Sequence, residues 1–78
     1  MKKRFIALWD RIEAQGDAEK EFNSLRTMYS KPHRFYHNMD HVKSCLTEFD
    51  SARQMVQQPN LVEFAIWYHD AIYELHPN

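Results

Sequence analysis

The chain has 78 residues, 44% of them hydrophobic and 14% aromatic, with a net charge of -1 from ten Lys and Arg against eleven Asp and Glu. This is one small domain at most, and its single cysteine excludes a disulfide framework. The near-neutral charge gives no field to gather nucleic acid, and no apolar run approaches the ~20 residues of a membrane span.

Apolar spacing is helical from the start. Phe5, Leu8, Trp9 and Ile12 fall on one face of a first helix, which Gly16 is expected to end because glycine readily turns left-handed. Asp17 is placed to cap a second helix carrying Ala18, Phe22, Leu25, Met28 and Tyr29 on one side. Pro32 closes that helix, since the residue before a proline is pushed out of helical geometry. A loop from Ser30 to His37 follows.

Asn38 is the predicted cap of a third helix, with Asp40 suited to the positive end of its dipole. Its stripe runs Val42, Cys45, Leu46, Phe49, Ala52, Met55 and Val56 until Gln57-Gln58-Pro59 breaks it. Asn60 with Glu63 three residues on has the form of a capping box for a fourth helix. That helix, from Leu61 to about Glu74, is apolar on most of its circumference and is predicted to be the central one. No strand alternation or hairpin dipeptide intervenes. The expected fold is all-α: four helices, the third and fourth packed as an antiparallel hairpin because their connection is short.

Chemistry concentrates among the five histidines, His33, His37, His41, His69 and His76. His69 and Asp70 follow the apolar run Phe64-Ala65-Ile66-Trp67-Tyr68, where an ionised carboxylate is costly to bury unless it is paired or metal-bound. An imidazole nitrogen and a carboxylate oxygen suit Zn, Mn or Fe. The plainer reading is a carboxylate hydrogen-bonded near a helix end beside a packed histidine. His37 and His41 are four apart, a spacing that can pair metal ligands on one helix face. His37 can equally be a loop residue and His41 a solvent-facing one. Arg34 is placed to meet a phosphate or to lie on the surface. His33 is read as a loop residue and His76 as a frayed end. Cys45, inside the third stripe, reads as a buried, inert thiol.

Arg34-Phe35-Tyr36-His37-Asn38-Met39-Asp40-His41-Val42 and Ala65-Ile66-Trp67-Tyr68-His69-Asp70-Ala71-Ile72-Tyr73 together resemble the HD superfamily of metal-dependent phosphohydrolases. The branch resembled is the one with an R-x-YHN-x-x-H and an AIW-[FY]-HDA-[IV]-Y segment. Trp9 and Tyr29 also look similar, so the likeness spans nearly the whole chain. It implies that His41, His69 and Asp70 are metal ligands for a divalent ion (Mn, Fe, Ni, Zn or Mg). His37 would be a polar neighbour, Glu74 or His37 would move protons, and Arg34 would steady a phosphate. The substrate class implied is a phosphoester or nucleotide. The family's fourth ligand is an aspartate on a later helix; no aspartate follows Asp70 here, and members of this branch are longer. The chain is therefore expected to be the N-terminal part of an HD domain.

Two functional readings follow: a metal-dependent hydrolase, or a helical interaction module without catalysis. A third places the histidines apart in a structural protein. Self-association is expected through uncovered apolar faces including Phe49, Ile66 and Ile72, and the expected compartment is the cytoplasm.

Overall fold

The computed structural model describes residues 1–31 and 38–75, without the side chains of 72–75. Four α-helices form in chain order, α1 (Lys2–Arg11), α2 (Ala18–Tyr29), α3 (Met39–Ala52) and α4 (Pro59–Leu75), with a 3-10 turn over Arg53–Met55. No strand occurs among the described residues. The all-α class follows directly from the helical spacing of the apolar residues.

The first helix ends earlier than its glycine suggests. Glu13 takes the left-handed conformation at φ 55°. Its N–H donates to the Asp10 carbonyl at 3.1 Å, and the Ala14 N–H donates to the Trp9 carbonyl at 3.1 Å. These are the paired bonds of a Schellman stop, with glutamate where glycine is usual. Gly16, at φ 95°, instead turns the chain into α2. A left-handed glutamate is strained by its Cβ. Glu13→Gly should therefore raise the urea midpoint by a stability gain of about 0.5–1 kcal/mol; an unchanged or lower midpoint would count against this account of the stop.

The next two starts match the sequence. The Asp17 carboxylate accepts from the N–H groups of Glu19 at 3.1 Å and Lys20 at 3.2 Å. The Asn38 side-chain oxygen accepts from the His41 N–H at 3.0 Å. The start of α4 does not match. The helix begins at Pro59 itself, so Asn60 and Glu63 lie inside it and form no capping box. The Val62 N–H already donates to the Gln58 carbonyl at 3.2 Å. Proline is well suited to a first helical position, where its missing N–H has no intrahelical acceptor to lose. Likewise α3 stops at Ala52, and Met55, counted in its apolar stripe, is 85% exposed.

The core draws on every helix: Phe5 and Leu8 of α1, Phe22, Leu25 and Tyr29 of α2, Val42 and Leu46 of α3, Trp67 and Ala71 of α4. Trp67 is at its centre. Phe5 and Phe22 meet it edge-on, with centroids 5.1 Å and 6.1 Å away. The Tyr29 hydroxyl donates to the Trp67 carbonyl at 2.7 Å, so a buried polar group of α2 is satisfied by the backbone of α4. A second layer lies beside this centre, where Phe64 stacks on Tyr68 at 4.7 Å and the Tyr68 hydroxyl donates to Glu21 at 2.8 Å. Burial first, then that bond and the negative charge of Glu21, push the Tyr68 hydroxyl pKa well above its ordinary value.

As expected, α4 is central in the sense that it packs against each of the other helices. It is not buried all round, because Leu61, Val62 and Ala65 are exposed on its outer side. Phe49, expected on an uncovered face, is covered by the chain itself, with the Arg53 guanidinium 5.3 Å from its ring centroid. Ile66 is half-buried, and the Ile72 side chain lies outside the described residues. The exposed large apolar side chains among the described residues are Met1, Met55, Leu61 and Val62.

The α3–α4 hairpin is antiparallel. Arg53, just past the end of α3, bonds Asn60 and Glu63 at the start of α4, while His41 near the start of α3 meets Asp70 near the end of α4. This crossing brings residues from opposite ends of the segment 41–70 to one place.

Candidate metal centre

Three potential donors converge where α3 begins and α4 nears its end. His41, His69 and Asp70 each offer one ligand atom, and these atoms all lie within 4.8 Å of one another. The Asp70 carboxylate bridges the pair: Oδ1 is 3.2 Å from His69 Nε2 and Oδ2 is 3.8 Å from His41 Nε2. The two imidazole centroids are 6.4 Å apart. In a tetrahedron with ~2.0 Å bonds the ligand atoms are about 3.3 Å apart, so these separations are near those of a shared ion.

Local structure explains each placement. His41 occupies the first turn of α3 because Asn38 caps that helix through the His41 N–H. Asp70 faces inward with Glu63 and Trp67, the three spaced four and three residues apart on α4. The Asp70 side chain is only 7% exposed, against 53% for His69 and 38% for His41. The site thus has a buried carboxyl floor and an open imidazole rim. Such burial favours an ion or a charged hydrogen bond over an isolated carboxylate.

The orientation of His69 is fixed from behind. Its Nδ1 lies 3.3 Å from the Ile66 carbonyl. A carbonyl oxygen can only accept, so Nδ1 carries a proton in this contact, and Nε2 is the ring nitrogen turned toward Asp70. Metal-ligating histidines are commonly held this way. The donor set of neutral nitrogens with one carboxylate oxygen suits Zn, Mn, Fe or Ni, and the exposed rim leaves room for water or a substrate oxygen. These residues fit a divalent ion.

Cys45 differs from its sequence reading. It is half-exposed, and its Sγ lies 3.6 Å from His41 Nε2. Burial pushes the thiol pKa up, and the negative charges of Glu48 and Asp70 push the same way. The group is held as a thiol, which disfavours a nucleophilic role.

Arg34 and His37, the other residues singled out at the first segment, lie outside the described residues, as does His33. Glu74 is within α4, but its side chain is outside the described part. The structure therefore brings together the three candidate ligands and leaves the proposed proton carriers and phosphate contact unassigned.

A second polar centre was not anticipated. Glu63, 1% exposed, accepts from Arg53 at 2.7 Å, Arg4 at 3.0 Å and Arg11 at 3.4 Å. Arg4 also forks onto Asp50, at 2.8 Å and 2.7 Å. Burial pushes the Glu63 carboxyl up, but the Arg53 and Arg4 hydrogen bonds and charges outweigh it and hold the pKa below its ordinary value. The signal was present in the sequence: Glu63 sits in an apolar run, seven residues before Asp70 and on the same helix face. Its match to a capping-box pattern with Asn60 pointed elsewhere.

Fold and site together define a small all-α protein with a candidate metal centre of two imidazoles and one carboxylate. Comparison with protein-family models, curated proteins and solved structures finds no match.

Proposed function

We propose that the protein binds a divalent metal through His41, His69 and Asp70 and acts as an HD-type phosphohydrolase on a phosphoester or nucleotide. The observation that carries this reading is the convergence of those donors within 4.8 Å from two segments that resemble the HD superfamily. When bound, such an ion lowers the pKa of its water and polarises a phosphoryl oxygen. In this chain Asp70 supplies the negative charge, His41 and His69 supply neutral nitrogens, and the Ile66 carbonyl holds the His69 ring in its ligating tautomer. Arg34 would steady the phosphate, and Glu74 or His37 would carry protons.

The test is phosphate release from a panel of nucleoside mono- and diphosphates with Mn, Fe(II), Ni, Zn and Mg, run beside His41→Ala and His69→Ala. Metal-dependent release that both substitutions remove supports the hydrolase. Release unchanged by both would dispose of it. Metal binding without release would favour the second reading, a non-catalytic helical module that self-associates. That reading is supported by the exposed Leu61 and Val62 on α4, at 62% and 38%. Equilibrium sedimentation gives its check, since a monomer at high micromolar concentration would count against it.

A further inference from the structure

The basic cleft around Glu63 has more cations than its carboxylates need. Arg4, Ala7, Arg11, Asp50, Arg53 and Glu63 line a cleft of about 400 Å³, within the usual range for small-ligand sites. Three guanidinium groups face two carboxylates there, leaving one positive charge in excess.

Arg11 is the surplus cation. Glu63 is already held by Arg53 at 2.7 Å and Arg4 at 3.0 Å, whereas its contact with Arg11 is 3.4 Å, near the outer limit of a hydrogen bond. Arg4 is committed elsewhere, through its fork onto Asp50. Arg11 and Arg53 nevertheless share two acceptor atoms. Glu63 Oε1 accepts from both, and Asn60 Oδ1 accepts from Arg11 Nε and Arg53 Nη2, each at 3.1 Å. Two like charges are thus clamped side by side with one neutral and one charged oxygen between them.

The arrangement is also preorganised. Arg53 is steadied by the Phe49 ring at 5.3 Å, and Asn60 is fixed in the first turn of α4. Arg11 Nη1 and Arg53 Nε have no acceptor among the described residues. Arg11 remains 42% exposed at its side chain. Planar guanidinium edges with spare N–H donors match the oxygens of a phosphate better than they match a spherical ion.

We propose that this cleft is a binding site for a phosphate group, held by the Arg11 and Arg53 N–H groups that no acceptor among the described residues takes and opposite the small side chain of Ala7. The site is separate from the candidate metal centre: Glu63 and Asp70 are seven residues apart on α4, about 10 Å along its axis. It stands whether or not a metal binds at His41, His69 and Asp70.

The experiment is thermal unfolding of the metal-free protein titrated with inorganic phosphate, with chloride holding ionic strength constant. The wild type should show a saturable rise in melting temperature. Acetate at the same ionic strength should give a much smaller one. Arg11→Gln should need at least about tenfold more phosphate for the same rise, because charge-assisted bonds to the anion are lost. Ala7→Glu keeps every arginine in place and adds a carboxylate to an exposed position of the lining, so it should abolish the response even if Arg11→Gln proves too unstable to use. A rise reproduced by chloride or acetate alone, or an Ala7→Glu protein that titrates like the wild type, would overturn the site.

Discussion

Saturating zinc or manganese should raise the melting temperature of the wild-type protein by about 10 °C or more. An ion that binds only the folded chain stabilises it by about 2.7 kcal/mol at a hundredfold excess over its dissociation constant. Each kcal/mol moves the transition of a domain this small by about 4–8 °C. The donors come from the start of α3 and the end of α4, so an unfolded chain cannot present them together. The rise should fade at acidic pH, because imidazoles must be neutral to ligate. His69→Ala and Asp70→Asn should each remove most of it. Differential scanning calorimetry at several pH values makes the comparison; an equal rise in both variants would show that the ion sits elsewhere.

Loss of the Glu63 carboxylate should be the most damaging single change outside the aromatic core. Glu63→Ala leaves Arg4, Arg11 and Arg53 facing one another without the group they share. Breaking a buried ion pair from one side costs about 3–5 kcal/mol. The guanidinium side chains are 30–42% exposed, so water recovers part of that, and about 3 kcal/mol is expected. Against the marginal stability of a domain of this size, that leaves a large unfolded fraction. Asp50→Asn, which touches only the half-exposed pair with Arg4, should cost less than about 1 kcal/mol.

The same network sets an acid limb. The Glu63 pKa is lower in the folded chain than its ordinary value of 4.5, so its contribution is complete above that value. It is lost as pH falls through the folded value. Urea unfolding from pH 7 downward should therefore show a steeper acid loss in wild type than in Glu63→Gln. Parallel curves for the two proteins, or a Glu63→Ala midpoint close to wild type, would contradict this view of the network.

Much of the fold was legible because its helices are amphipathic and their starts carry side-chain caps. Asp17 and Asn38 announce α2 and α3 by residue type alone. The ends were less legible. Glu13 pays the strain of a left-handed turn that composition assigns to Gly16, and nothing in a glutamate signals that role. At α4 the Asn60 and Glu63 spacing fitted a cap, but Pro59 could open the helix first and free both side chains for Arg11 and Arg53. Pairings such as Arg4 with Asp50 join residues 46 apart, and sequence spacing has no access to them until the helices are docked. The cluster of His41, His69 and Asp70 was easier. His69 and Asp70 are adjacent, and a short connection before Pro59 returns them to His41. Cys45 is less buried than its place on an apolar stripe implies, and that place says nothing about a histidine one turn back on the same helix.

The α3–α4 hairpin is fastened differently at its two ends. Where α4 begins, Arg53 with Asn60 and Glu63 closes it using groups the chain always carries. Where α4 nears its end, Val42, Trp67 and Ala71 are buried in the core, and beside them two imidazoles and a carboxylate lie near enough for one ion to join them. An ion held there would add a second pin to the one the arginine network already supplies.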